Sequence, residues 1–422
     1  MKRYFFLLVS LLVFPSCMLH AQSSAGSVLT GDWSGKLQAG PTALTIVIHL
    51  KQDAGGKMLS ALDSPDQGAY DIPAEVLFIS ADSVSIRVPS LYASYRGRKQ
   101  GDTISGTFKQ GFQLFPLSLQ PFVEHLNRPQ TPQPPLPYQT EEVRFVNTDA
   151  GITLAGTLTW PVKEASSGKK KPPLVVLVSG SGLQDRDETL FEHKPFAVIA
   201  DHLAHNGIAS LRYDDRGMGQ SEGINLKNTI TPDFKSDAQA AVNAMRIKKA
   251  FSAIGVIGHS EGGDIAWMMA AEGVVDFAIG LSATAVKGDT ALTCQVNRIA
   301  SLSGKPATMN VDTYRRLIAQ QANPWMQWFI NYDPSKDLSA AKCPVFALYG
   351  ENDCQVIATQ NAPAAQQLLK GKKHSQVKIY PKLNHLFQHS TTGLPAEYRQ
   401  IEQTIAEEVL NDITAWIKEC TK

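Results

Sequence analysis

The chain has 422 residues, with 40 Lys+Arg against 39 Asp+Glu, 43% hydrophobic and 19% charged. That length exceeds one ordinary domain and indicates two or three. A formal charge of +1 offers no basic excess for nucleic acid or a polybasic membrane contact, and five cysteines without a CxxC pair argue against a zinc ribbon or disulfide scaffold.

At the amino terminus Lys2 and Arg3 precede an apolar run from Tyr4 to Phe14, broken by Pro15. A basic segment followed by so short an apolar stretch predicts an export signal and not a membrane span, which needs ~20 apolar residues. Cleavage is expected near Ala21, over residues 1–21, and the destination is the periplasm. Lipidation at Cys17 is the alternative, although Phe14-Pro15-Ser16 makes a poor lipid-attachment motif. No later segment is apolar enough for an integral membrane span.

Residues 22–120 carry short alternating segments separated by turn residues, such as Thr42–Leu50, Ser83–Val88 and Thr103–Phe108. Seven or eight strands without a helical period predict a small all-β barrel or sandwich. Seven prolines between Pro116 and Pro137 then predict an extended connector, placed at 121–138. From 139 to 422 continuous apolar runs alternate with helical patterns. That alternation indicates an α/β domain with a mostly parallel, doubly wound sheet covered on both faces. Its last helix is expected over Glu397–Cys420. Residues 285–338 interrupt the sheet with an insertion of helical character, a lid, whose Trp325, Met326, Trp328 and Phe329 fit helix packing better than an acyl pocket.

Gly258-His259-Ser260-Glu261-Gly262 matches G-x-S-x-G, and so does Gly219-Gln220-Ser221-Glu222-Gly223. Chance supplies ~0.1 to 0.2 such matches in a chain this long, so context decides. A nucleophile elbow needs a buried strand, a sharp turn and a helix. Ser260 follows the apolar run Ile254–Ile257 and precedes a helical pattern, whereas Ser221 follows the charged loop Asp214–Gly219. Ser260 is therefore the candidate nucleophile and Ser221 a loop residue. The acid and the base should follow it in that order. His385, in the loop after Val377–Tyr380, is the candidate base, with His389 as the alternative; His374 lies in a turn. Asp353, just beyond the apolar run Val345–Tyr349, is the candidate acid that orients the imidazole, with Glu351 as the alternative. A metal reading of His385 and His389 fails because no Glu follows His385.

With these residues placed, and with Val178–Asp187, Arg212–Ser221 and Gly258–Gly263 beside them, residues 138–422 resemble the α/β-hydrolase superfamily, closest to its small bacterial esterases of the EstD-like group. The resemblance implies a serine hydrolase of the carboxylesterase type acting on a small-molecule ester through an acyl-enzyme, with no cofactor and no metal. It implies an oxyanion hole from the backbone N–H groups of Glu261 and Ser181, with Gly182 as the alternative to Ser181. An exported peptidase or thioesterase shares such a triad, and a non-enzymatic binding protein can share the scaffold. Asp185, Arg186, Asp214 and Arg216 fit an ion-pair network joining two loops better than substrate contacts. The N-terminal β domain lies outside the resemblance.

Overall fold

The computed structural model describes residues 29–39, 42–53, 56–67, 69–122, 126–163, 171–223 and 226–422. The export segment, its cleavage point near Ala21 and Cys17 lie outside the described residues. The chain forms two compact units, divided between His125 and Leu126.

The first unit is a closed barrel of eight antiparallel strands: β1 (Gly31–Ala39), β2 (Thr42–Gln52), β3 (Met58–Ser64), β4 (Ala69–Ile79), β5 (Ser83–Val88), β6 (Ala93–Gln100), β7 (Thr103–Gln110) and β8 (Gln113–Pro121). Alternation sends Ile46, Ile48, Leu50, Ile86, Tyr95, Ile104 and Leu117 inward, and together with Trp33 they fill the core. Closure comes from β1 meeting β8, with Trp33 opposite Pro121 and Ser34 opposite Gln120. This resolves the choice between barrel and sandwich. On the face opposite these core residues, His49 Nδ1 lies 2.7 Å from Asp32 and its Nε2 lies 2.9 Å from Asp63. Burial opposes charge on this imidazole, but the two carboxylates outweigh it and raise its pKa to about 9.

The second unit holds an eight-stranded sheet. In chain order its elements are β9 (Thr140–Asn147), β10 (Ile152–Thr159), β11 (Leu174–Val178), α1 (Pro195–His205), β12 (Ala209–Tyr213), α2 (Thr231–Lys248), β13 (Ile254–His259), α3 (Glu261–Glu272) and β14 (Ala278–Leu281). Then follow α4 (Gly288–Leu302), α5 (Val311–Ala319), α6 (Pro324–Phe329), α7 (Pro334–Ala340), β15 (Val345–Gly350), α8 (Ala358–Leu368), β16 (Gln376–Tyr380) and α9 (Glu407–Cys420). The spatial order is β16-β15-β14-β13-β11-β12-β10-β9. The strands from β12 to β16 pair in parallel, and β10 and β9 are antiparallel additions at one edge.

The central parallel strands β11, β13, β14 and β15 are buried throughout because both faces are covered. Along β11, Val175 and Leu177 face α1 and α9 through Phe196, Leu203, Val409 and Trp416. Leu174, Val176 and Val178 face α2 and α3 through Ala238, Val242, Ile265 and Trp267. Each large aliphatic side chain so buried contributes about 1.5–3 kcal/mol, so the sandwich on β11 and β13 is a rigid base for the loops above it. Helices α4 to α7 form the insertion between β14 and β15. Met326 and Phe329 pack with Leu292, Tyr314 and Ile318 in a small core of its own, so these aromatic positions serve helix packing.

Two expected boundaries differ. The helix expected from Glu397 begins only at Glu407, because residues 399–405 give their backbone groups to a distant segment. Arg128 donates to the carbonyls of Arg399 and Ile401, and Gln130 donates to that of Ile405 and accepts from the N–H groups of Thr404 and Ile405. By the same bonds, the proline-rich stretch from Leu126 is fastened along this unit instead of spanning open space. Pro116 and Pro121 belong to β8, where Pro116 sits opposite Thr107.

Candidate active site

The strand-to-helix corner after β13 is built by glycines. A Cβ at Gly258 would stand 1.9 Å from the Gly262 carbonyl oxygen, and one at Gly262 would stand 2.1 Å from that of Val178. With both absent, α3 crosses tightly over β11 and β13. Ser260 occupies the corner at φ 53° and ψ −117°, a conformation costly for a residue with a side chain. Its N–H donates to the Leu281 carbonyl at 2.8 Å, and its own carbonyl accepts from Gly263 N–H at 2.9 Å. The strained corner is therefore held on both sides, and it turns the serine into a cavity of about 190 Å³.

His385 lines the same cavity from the loop after β16. Its Nδ1 lies 2.8 Å from Asp353 Oδ2, and both residues are buried. The other carboxylate oxygen of Asp353 accepts from the N–H groups of Gln355 and Val356 at 2.7 and 2.9 Å. The turn after β15 thus fixes the carboxylate, and the carboxylate orients the imidazole so that its Nε2 is left for other partners. Glu351 instead accepts from the Lys382 N–H at the surface, and His389 is engaged by Gln403 and Glu408 away from the cavity. His374 faces Glu419. Ser221 is consumed within its loop, donating to the Asp214 carbonyl and accepting from the Ala155 N–H.

Ser181 lines the cavity from the loop after β11, and Glu261 opens α3 directly behind Ser260. The N–H groups of a first helical turn have no intrahelical acceptor. Among the described residues neither the Ser181 nor the Glu261 N–H is bonded to a protein acceptor. The Glu261 side chain points elsewhere. Fully buried, it accepts from Thr231 Oγ1 at 2.6 Å and from Trp325 Nε1 at 2.7 Å.

The charged residues near the site form a scaffold. Arg186 joins Asp214 and Glu142, Arg216 joins Asp237, and Asp185 caps the N–H groups of Asp187 and Thr189. Burial disfavours the Asp214 anion, but Arg186 and the Gln220 N–H outweigh it and keep its pKa below the usual range. Asp215, held by the Ser179 hydroxyl and the Gln184 N–H, is pushed well above that range by complete burial.

A second histidine–carboxylate pair was invisible to the motif. His259 Nδ1 lies 2.9 Å from Glu188 Oε1, and its Nε2 lies 3.0 Å from the His385 carbonyl oxygen. Glu188 Oε1 also accepts from the Gly180 N–H at 2.7 Å. The rings of His259 and His385 stand 4.8 Å apart. His259 fills the variable position of its motif, and Glu188 sits in an acidic loop 71 residues earlier; nothing local marks the pair.

The remaining walls combine Leu190, Phe191, Pro195, Ile299 and Leu386 with the amides of Gln184, Gln295 and Gln355. Among the described residues Glu188 is the one acidic side chain lining the cavity, and His259 matches it. Among the described residues no cluster of three or more His, Cys, Asp or Glu side chains has the arrangement to hold a metal, and no helix is long and apolar enough to cross a membrane. Cys294, Cys343, Cys354 and Cys420 are free thiols.

Residues 192–334 match the family model described as serine aminopeptidase, S33, and residues 328–421 match that of the dienelactone hydrolase family. Esterase EstD of Thermotoga maritima is 25% identical over 297 residues, which cover 67% of this chain and 70% of the relative. Among solved structures, an esterase of Pyrococcus furiosus is 17% identical, with a TM-score of 0.47 over 71% of this chain and 100% of the other. Est1E of Butyrivibrio proteoclasticus, solved with ferulic acid bound, is 17% identical, with a TM-score of 0.43 over 66% of this chain and 96% of the other.

Proposed function

We propose that this chain, an α/β-hydrolase in its second unit, is an exported serine esterase in which Ser260, His385 and Asp353 act as nucleophile, base and orienting acid. The observation that carries the reading is the strained Ser260 corner opening into the same cavity as a histidine whose Nδ1 is bound to a buried carboxylate. Export rests on the basic and apolar residues of the first 21 positions.

In this reading the ester carbonyl sits over Ser260, with its oxygen toward the N–H groups of Ser181 and Glu261. His385 Nε2 takes the hydroxyl proton as Oγ bonds to the carbonyl carbon. Asp353 stabilises the imidazolium that forms, and the two N–H groups hold the oxyanion. Such a donor is worth about 3–4 kcal/mol of the barrier. Collapse breaks the bond to the alcohol oxygen, which leaves with the proton from His385. Water then attacks the acyl-enzyme, giving its proton to His385, and the acid departs as Ser260 regains its hydrogen.

The cavity favours a neutral ester over an aminopeptide. A peptide α-ammonium needs an unmatched carboxylate, and the lining acid Glu188 is already paired with His259 and the Gly180 N–H. Short-chain p-nitrophenyl esters should be hydrolysed, a fluorophosphonate should label Ser260, and amino-acid p-nitroanilides should be inert. Turnover of the anilides with no turnover of esters would favour the peptidase instead.

A further inference from the structure

Resting on the serine-esterase reading, we infer that the Glu261 carboxyl is a positioning group that fixes the start of α3, which carries one of the two oxyanion donors, and couples it to the seating of the insertion. Three segments meet at this one side chain. Thr231 at the start of α2 donates to Oε1 at 2.6 Å, and Trp325 of α6 donates to the same oxygen at 2.7 Å. The third segment is the start of α3, where the Glu261 N–H lies next to Ser260. The residue carrying that donor N–H is therefore tied to α2 and α6 through a single carboxyl, itself 3% exposed.

The tie reaches the cavity wall by packing. Trp325 stacks on Phe329 at 5.2 Å, and Phe329 and Met326 pack against Leu292 of α4. Three and seven residues beyond Leu292 on that helix, Gln295 and Ile299 line the cavity. Fixing Trp325 thus fixes α6, the face of α4 and the roof over Ser260. Burying an acceptor in an apolar site is costly unless its donors are all present, so loss of Trp325 Nε1 should shift the carboxyl and with it the start of α3.

The test is a variant series on the full-length protein, each rate divided by the concentration of active sites titrated with a fluorophosphonate. Thr231→Val removes one donor at nearly constant shape, Trp325→Phe removes the other together with part of the ring, and Thr231→Ser restores the hydroxyl. We expect kcat per titrated site to fall between about 10- and 100-fold in the first two, as a misplaced catalytic group does. KM should change little, a trifluoromethyl ketone should bind more weakly by the same factor, and Thr231→Ser should resemble the wild type. Should Trp325→Phe not fold, the two Thr231 variants carry the comparison. Unchanged kcat and ketone affinity per titrated site would overturn the inference while leaving the esterase reading intact. A wild-type protein that neither reacts with the fluorophosphonate nor hydrolyses esters would overturn that reading, and this inference with it.

Discussion

His259 and Glu188 form a buried pair whose imidazole has an acceptor at each nitrogen, the Glu188 carboxylate at 2.9 Å and the His385 carbonyl at 3.0 Å. A neutral imidazole has one N–H, so this setting calls for the doubly protonated ring. Burial opposes that charge, but Glu188 outweighs it and raises the pKa above its ordinary value. The cation pins the backbone of His385, and its counter-ion pins Gly180 beside Ser181. Glu188→Gln leaves a buried cation unmatched, and breaking such a pair costs about 3–5 kcal/mol. Urea unfolding should show a loss of that order, and esterase activity should fall with it. A variant as stable and active as the wild type would exclude this anchoring role.

Ser260→Ala should lower kcat by roughly 10⁵- to 10⁶-fold and abolish fluorophosphonate labelling. Ser221→Ala should keep the activity and lose only about 1 kcal/mol of stability, because its hydroxyl serves two backbone groups. Labelling followed by mass spectrometry of the modified peptide separates the two serines. Modification at Ser221 would reverse the assignment.

Asp353→Asn should keep the fold, since the amide oxygen can still accept from Gln355 and Val356. The opposite side then presents NH₂ to His385 Nδ1 and selects the wrong tautomer, so kcat should fall by about 10⁴-fold. Stopped-flow ester hydrolysis measures it. A loss below tenfold would point to another orienting group.

In the barrel, His49 has its pKa raised to about 9 from 6.5 by Asp32 and Asp63 against the opposing effect of burial. A raised pKa means the stabilisation is complete below about pH 6.5 and is lost as the pH climbs through 9. Calorimetry of the wild type against His49→Gln should therefore show a gap of a few kcal/mol at pH 6 that closes by about pH 9.5. A gap that widens with pH would rule out the imidazolium clamp.

Two residues of the proposed triad were legible because each follows a continuous apolar run, Ser260 after Ile254–Ile257 and Asp353 after Val345–Tyr349, whereas His385 was reached through the loop after Val377–Tyr380, a run interrupted by Lys378. A buried parallel strand writes itself into the sequence as such a run, and its C-terminal end is where a loop must emerge. The closure of β1 on β8 was not legible, since alternation serves barrels and sandwiches alike. Nor was the late start of α9: residues 397–406 have helical composition, and distant groups, among them Arg128, Gln130, His193 and Gln388, divert their backbone. Glu188 and Trp325 escaped for the same reason. Their partners are set by tertiary approach, and no period or spacing encodes them.

The fastening of Arg128 and Gln130 changes what counts as a minimal catalytic fragment. Thr404, whose N–H is received by Gln130, also holds His193 Nδ1 and forms part of the cavity wall. A chain begun at Leu126 retains these bonds. One begun at Gln139, at the first strand of the sheet, strips the carbonyls of Phe191, Arg399, Ile401 and Ile405 of their donors. The segment that looks like a tether between domains is thus a buttress of the substrate chamber, and a truncation at the sheet's first strand would remove part of the enzyme's own wall.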